Sequence, residues 1–404
     1  MKVKQSATKL PSVSVEGTSS RGERVRGLFG NRIRGSLRIF LGNDQGLGYV
    51  ETRTNLFERV GTNRTDGVKM SVNGQVEVTS SRFEVIKSLE GFIGGAVGSL
   101  LKPVEESWQP SDFLPDPSKE DFHERITEFQ ARAQVLSDAV LVVLVGDMVT
   151  EEALPSYQTW LNRLQGVTDE TGTSESPWAV WSRGWTAEEN RHGDLLNRYL
   201  FLSGRVDMRA VERTIHYLLR DGFNARTEND PYLGFIYTSF QERATKISHR
   251  NVATLAKKEG EDTLHTICGL IAGDEARHEA AYKLFMTKIF EVDPLGAIQS
   301  FATMMKRKIL MPAAAMYDGE DRQLFDRYSK VAQRIGVYTV KDYAEIIADL
   351  VRHWKIEHLN GLSHAAEQAR EYLCSLAQRY HGLASRGVLE GRHSFSWIFA
   401  REVS

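Results

Sequence analysis

From about residue 84 onward the chain repeats one pattern: apolar positions return every three or four residues, over stretches longer than a strand. The spacing predicts helices over about 179–203, 206–220, 232–258, 260–290, 294–308 and 340–354. The stretch 120–162 has the same period with Pro155 inside it. It is expected to be helical with a kink, because proline removes an N–H and crowds the preceding turn. Between these stretches the chain turns polar. "QPSDFLPDPS" (109–118) holds three prolines, and "QGVTDETGTSESP" (165–177) and "DGFNARTENDPY" (221–232) are rich in turn residues. Ser118, followed by acidic residues, reads as the N-cap of the helix after the first loop. Alternating apolar and polar residues, the mark of a half-buried strand, are nearly absent. The expectation is one large all-α domain, a helical bundle over residues 84–404, with no tandem repeat.

The front of the chain is different material. Residues 1–40 hold nine Lys or Arg, eight Ser or Thr, and only Glu16 and Glu23 as acids. Basic, hydroxyl-rich and acid-poor, with no long apolar run, residues 1–45 read as an organellar transit peptide rather than a secretory signal. Residues 46–83 show no convincing period and read as a poorly ordered linker. A formal net charge of −2 over 404 residues disfavours nucleic-acid binding. Two cysteines, Cys268 and Cys374, cannot staple so long a chain, so a reducing compartment is expected. The longest apolar runs, 92–101 and 139–146, fall short of the about 20 residues a membrane span needs.

Charge becomes informative where it interrupts the apolar faces. Four of the eleven histidines follow a Glu by three residues: Glu120/His123, Glu189/His192, Glu275/His278 and Glu390/His393. Such pairs share a helix face. The first sits in a charged helix start and the last beside Gly391, so both read as solvated. The middle two lie inside long helices, in similar x-E-x-R-H segments. Their stripes read Trp185, Glu189, His192, Leu196, Tyr199 and Cys268, Ile271, Glu275, His278, Tyr282. A carboxylate buried without a partner costs several kcal/mol, so something must compensate. Two further helices bring acids: Glu151 or Glu152, between which the pattern does not choose, and Glu242 on a stripe with Phe235, Ser239, Thr245 and His249.

One Glu from each of two helices and a Glu-x-x-His from each of two others is the ligand set of the ferritin-like di-iron carboxylate proteins. Oxygen-rich ligation with two imidazoles suits iron or manganese better than zinc. The competing reading is a set of buried ion pairs with Arg191 and Arg277, but both arginines flank the histidines and point off the Glu–His face. Two such irons can activate O2 strongly enough to take hydrogen from an unactivated C–H bond, provided an external one-electron donor reloads them.

Longer motifs now fall into place. "WQPSDFLPDP", "LVGDMVTEEALPSYQTWLN", "WTAEENRHGDLLNRYLFLSGRVDM", "RTENDPYLGFIYTSFQERAT", "DEARHE", "MPAAAMYDG" and "FSWIFAREV" lie between residues 108 and 403, and on them the region from about 84 to 403 resembles the soluble plant acyl-acyl-carrier-protein desaturases. The resemblance does not reach residues 1–80. It implies six iron ligands, Glu151, Glu189, His192, Glu242, Glu275 and His278, choosing Glu151 over Glu152, and two iron ions per subunit. It implies a role for Thr245 in oxygen handling, and for Trp108, His249 and Asp274 in carrying electrons from the surface. It further implies a homodimer in the plastid stroma, reduced ferredoxin as donor, O2 as oxidant, and a saturated acyl chain on acyl carrier protein as substrate, which gains a cis double bond. No histidine box of the membrane desaturases is present.

The same resemblance implies a bent apolar tunnel for the acyl chain, bordered by Trp160, Arg163, Leu164, Ala225, Thr227, Gly234 and Phe235. Here the chain departs from the commoner pattern. Trp160 and Arg163 stand where a Met and a Thr are usual, Ala225 replaces a Pro, and Lys246 replaces a Phe. Trp160 and Arg163 are bulkier than their counterparts, which predicts a preference for a shorter acyl chain. Acyl carrier protein is acidic, so Lys102, Lys306, Arg307 and Lys308 are candidates for its docking face. The same ligands would serve another di-iron oxidase such as a hydroxylase. From a different class, a catalytically silent helical dimer that binds iron or acyl carrier protein is the alternative.

Overall fold

Three long helices and a shorter one meet side by side, and each of the long ones changes character half-way along. The computed structural model describes residues 73–384 and 391–403; the expected transit peptide and residues 46–72 of the expected linker lie outside them. The helices are α1 (Asn73–Ser88), α2 (Glu90–Leu100), α3 (Phe122–Ala133), α4 (Asp138–Glu151), α5 (Leu154–Leu161), α6 (Pro177–Ser203), α7 (Met208–Asp221), α8 (Pro231–Glu259), α9 (Asp262–Val292), α10 (Pro294–Arg307), α11 (Leu324–Arg334), α12 (Val340–His353) and α13 (His364–Ala384). A small antiparallel hairpin closes the chain, β1 (His393–Phe395) on β2 (Arg401–Val403), with His393 opposite Val403. The all-α expectation holds.

Helices α4, α6, α8 and α9 form the central bundle, with α4 against α6 and α8, and α9 against α8 and α6. Two apolar cores occupy its two ends. One takes Trp178, Trp181 and Trp185 of α6, residues Tyr232 to Ala244 of α8 and Ala281 to Phe290 of α9. The other takes Leu195 to Leu200 of α6, Val252 to Ala256 of α8, Leu264 to Ile271 of α9, and most of α4. The polar segments that carry the Glu–His pairs lie where the two cores meet. The sequence places charge at mid-helix because that is the middle of the bundle.

The helix starts are built by local chemistry. Asp230 caps α8 by accepting from the backbone N–H of Tyr232 and Leu233, with Pro231 in the first turn where no N–H is needed. Helix α6 ends at Gly204, whose φ of 64° only glycine adopts cheaply. The single kinked helix expected over 120–162 is instead three helices. Ser137 starts α4 by capping Val140, and Pro155 does not kink a continuing helix but sits in the first turn of a new one, α5. Ser118 is not the N-cap of α3. Its N–H and hydroxyl both bond Asp116 in a turn of their own, and the helix starts four residues later. The first helix begins at Asn73, so 73–83 are helical, anchored by an Arg82–Asp230 ion pair and by buried Ile86.

Helix α4 is buried from Val140 to Glu151, and among the described residues no single helix is long and apolar enough to cross a membrane. Its Gly146 lies under the ring of Tyr328 on α11: a Cβ there would come within 2.0 Å of Tyr328 Cε2. Gly146→Ala is expected to lower stability by about 1–3 kcal/mol, the cost of overpacking a filled core. Denaturant unfolding followed by helical signal checks it; an unchanged midpoint would mean that the α4–α11 contact is loose.

Candidate metal centre

Two groups of buried donors lie at the middle of the bundle, Glu151, Glu189, His192, Glu275 and Glu189, Glu242, Glu275, His278, with the donor atoms of each group within 4.8 Å of one another. Together they are the six residues expected from the sequence. Glu189 and Glu275 belong to both groups, so they are placed to bridge two ions. Each group adds one further Glu and one His, which would complete the set for an ion held there. Glu152 accepts from Asn197 and lies in neither group.

The donors fit a cation better than they fit one another. His278 Nδ1 lies 2.6 Å from Glu189 Oε1, yet neither atom has a hydrogen-bond partner of acceptable direction. His192 Nδ1 is likewise unpartnered, 3.3 Å from both Glu189 Oε2 and Glu275 Oε1. Donor atoms gathered this closely without hydrogen-bond partners are what a metal satisfies.

The outer nitrogens explain the orientation. His192 Nε2 lies 3.4 Å from Asp274 on α9, and His278 Nε2 lies 2.9 Å from Glu188 on α6. The acid just before each Glu-x-x-His motif therefore holds the histidine of the other helix. The arginines follow the same exchange, Arg191 bonding Asp274 and Arg277 bonding Glu188. They neutralise the outer acids rather than the six donors, so the ion-pair reading does not account for the inner cluster. Imidazoles held this way present Nδ1 to a metal as a fixed lone pair. Glu188→Ala is expected to weaken metal binding by about 10–100-fold, measured by metal titration of the purified protein.

Burial and neighbouring charges set where protons are held among these six side chains. Burial, then the Glu275 and Glu189 charges, push the Glu151 carboxyl well up, and burial with the Glu189 charge does the same to Glu242. Burial opposes a charge on Glu189 too, but the two imidazoles outweigh it and hold its pKa down. Burial likewise opposes protonation of His278, yet Glu189 and Glu188 push it up to about 9. At neutral pH a metal must therefore displace the proton of His278. Metal uptake is expected to release protons and to weaken as pH falls below about 9, which titration in weak buffer detects.

A sequence model described as fatty acid desaturase matches residues 81–399. The stearoyl-[acyl-carrier-protein] 9-desaturase 1, chloroplastic, of Arabidopsis thaliana is 57% identical over 327 residues, covering 80% of this chain and 83% of that one. The chain belongs to the fatty acid desaturase family. The chloroplastic stearoyl-[acyl-carrier-protein] 9-desaturase of Spinacia oleracea is 56% identical over 336 residues, covering 81% of this chain and 84% of its own. An acyl-[acyl-carrier-protein] desaturase, chloroplastic, of Cucumis sativus is 57% identical over 326 residues, covering 80% and 82%. Members of this family are oxidoreductases, and a buried carboxylate–histidine centre is the equipment that such chemistry needs.

Around the centre of this desaturase, Trp108 is stacked on His192 at 6.0 Å and donates its indole N–H to Asp274 at 3.0 Å, with Arg191 over its face at 4.4 Å. His249 stands apart from these two and reaches Glu151 Oε1 at 2.8 Å. Behind it lies Asp147, unremarked in the sequence, buried, bonded to Ser248 and Tyr328, and raised by burial to about 6. The Thr245 hydroxyl bonds back to the carbonyls of Gln241 and Glu242.

The expected tunnel residues separate. Leu164, Ala225, Thr227, Gly234 and Phe235 are buried, and Leu164 covers Gly234 so closely that a Cβ there would meet it at 2.5 Å. Trp160 is half-buried, donating to Thr227 Oγ1 at 2.8 Å with its ring edge-on to Phe223 and Tyr237. Arg163 does not fill interior space: it is exposed, lining an outer cavity of about 850 Å³, because an unpaired guanidinium is costly to bury. Lys246 pairs with Glu279. Of the candidate docking cations, Lys306 and Lys308 are exposed, Arg307 is tied to Glu228, and Lys102 lies 3.6 Å from Asp274.

Proposed function

We propose that this chain introduces a cis double bond into a saturated acyl chain carried on acyl carrier protein. The observation that carries it is the pair of donor groups sharing Glu189 and Glu275, in a family whose 55–57% identical members are named for that reaction. Four carboxylates and two imidazoles suit two iron ions. Iron bound there supplies the reducing power toward O2 and the oxidising power that removes hydrogen from two adjacent methylenes. The balance is one saturated chain, O2, two electrons and two protons giving one monounsaturated chain and two waters. Reduced ferredoxin is the proposed donor, and Trp108 with Asp274 and His192 is the proposed path, supported by their continuous contact. The relation of His249 to Glu151 supports a positioning role at that ligand instead.

The protein's part is arrangement. Asp274 and Glu188 fix the imidazoles, the two apolar cores keep water from the reacting methylenes, and Trp160 closes one side of the acyl space. Thr245, one turn from Glu242, is proposed to handle oxygen once its hydroxyl leaves the helix carbonyls. Exposed Lys306 and Lys308 support docking of an acidic carrier, with Arg307 and Lys102 available only on giving up present partners. The address is proposed as the plastid stroma through residues 1–45, and the assembly as a homodimer. Mass spectrometry of products after incubation with iron, reduced ferredoxin, O2 and a panel of acyl carrier protein thioesters tests the reading. A monounsaturated acyl product is expected. A hydroxylated one, or none from protein holding two irons, would overturn it.

A further inference from the structure

Three of the chain's seven tryptophans, Trp178, Trp181 and Trp185, recur on α6 at spacings of three and four, so they share one helix face. The same face continues into Glu189 and His192. Trp185 donates its indole N–H to Glu242 Oε1 at 3.1 Å. Tyr282 of α9 stands edge-on to both Trp185 and Trp181, with ring centroids 6.3 and 5.6 Å apart, and both tryptophans lie 6.4 Å from the His278 ring. A group of oxidisable rings therefore adjoins two proposed metal ligands, Glu242 through Trp185 and His278 through both tryptophans, whereas Trp108 stacks on His192 and bonds Asp274.

Packing alone does not account for these residue types. Trp181 Nε1 and Tyr282 Oη are buried and meet no well-aligned hydrogen-bond partner beyond each other, a polar pair that phenylalanine at both positions would dispense with. What indole and phenol add is a ring that gives up one electron readily. We propose that Trp185, Tyr282 and Trp181 are a one-electron reservoir that quenches the oxidised metal centre when no acyl chain is in place. The proposal rests on the metal-centre reading above. One electron leaves the Trp185 ring for the centre, and the ring remains as a radical cation whose N–H stays on the Glu242 carboxylate, which stabilises the charge. Trp181 then returns an electron to Trp185 through Tyr282, and the deficit leaves the ring that is bonded to Glu242. The electron is restored by a ferredoxin-class donor. A ring not restored loses a second electron to the oxidised centre, takes up water and releases two protons, which leaves one oxygen on the indole.

The test loads the full chain with Fe(II) without air, measures metal content, then admits O2 with neither acyl carrier protein nor ferredoxin. Freeze-quenched samples are read by electron paramagnetic resonance, and peptides by mass spectrometry. The expected result is an organic radical, and oxygen added at Trp185 and Trp181 at several-fold higher occupancy than at Trp160, Trp354 and Trp397. Tyr282→Phe and Trp181→Phe, which remove no bond to a metal ligand, should keep the metal content and confine the oxidation to Trp185. Loaded protein that consumes O2 without a radical, or with oxygen spread evenly over all tryptophans, overturns the proposal. Protein that takes up no metal overturns the metal-centre reading instead, and the metal measurement made first tells the two failures apart.

Discussion

Replacing Glu275 by glutamine is expected to empty both metal positions at once. Glu275 is in each of the two donor groups, whereas Glu242 is in only one. The amide keeps the shape of the side chain but removes its charge and turns two N–H donors toward the cations. Changes outside the ligand set cost about 10–100-fold in metal affinity, and loss of a shared ligand should exceed that. Turnover should fall by about 10³-fold or more, since metal activation contributes several kcal/mol and each 1.36 kcal/mol is tenfold. The thermal protection that metal gives the native state, about 2.7 kcal/mol at a hundredfold excess over Kd, should vanish with it. Glu242→Gln, by contrast, should leave the group around His192 able to hold one ion. Elemental analysis of the two variants decides: two ions retained in Glu275→Gln would mean that this carboxylate does not bridge.

How far this centre could be read beforehand depended on how strongly each residue breaks a pattern. A Glu and a His on an otherwise apolar stripe are conspicuous, and five of the donors were legible in the long helices, whereas Glu151 was told from Glu152 only by the family resemblance. Glu188 was not, because a second acid beside Glu189 looks like ordinary helix surface. Its signal was the acidic doublet that precedes x-R-H in both motifs, Glu188–Glu189 and Asp274–Glu275. Helix α13 was missed because its buried stripe is made partly of Ala366 and Ala369, which weigh little in a hydrophobic pattern. The break between α4 and α5 was misjudged because a proline inside a periodic stretch signals a kink and a new start equally well. Arg163 was expected inward from its alignment beside Trp160, but position along a chain does not give direction once the helix has ended at Leu161.

That difference between Trp160 and Arg163 gives the second large effect. Trp160→Met is expected to shift chain-length preference toward longer acyl groups, and Arg163→Thr to change it little. The Trp160 ring is held on three sides, by Thr227 through its N–H and by Phe223 and Tyr237 through edge-on contacts, so it does not swing aside for a longer chain at low cost. Each methylene that gains a buried place contributes about 0.8 kcal/mol. Four more methylenes would contribute about 3 kcal/mol, so the ratio of eighteen- to fourteen-carbon turnover should rise by up to about 100-fold. Competition assays on fourteen-, sixteen- and eighteen-carbon acyl carrier proteins measure it. If the unaltered chain already prefers eighteen carbons, Trp160 does not close the tunnel. If Arg163→Thr moves the preference as far as Trp160→Met, the acyl chain reaches the outer cavity that Arg163 lines, and the ring is a wall of the passage rather than its end.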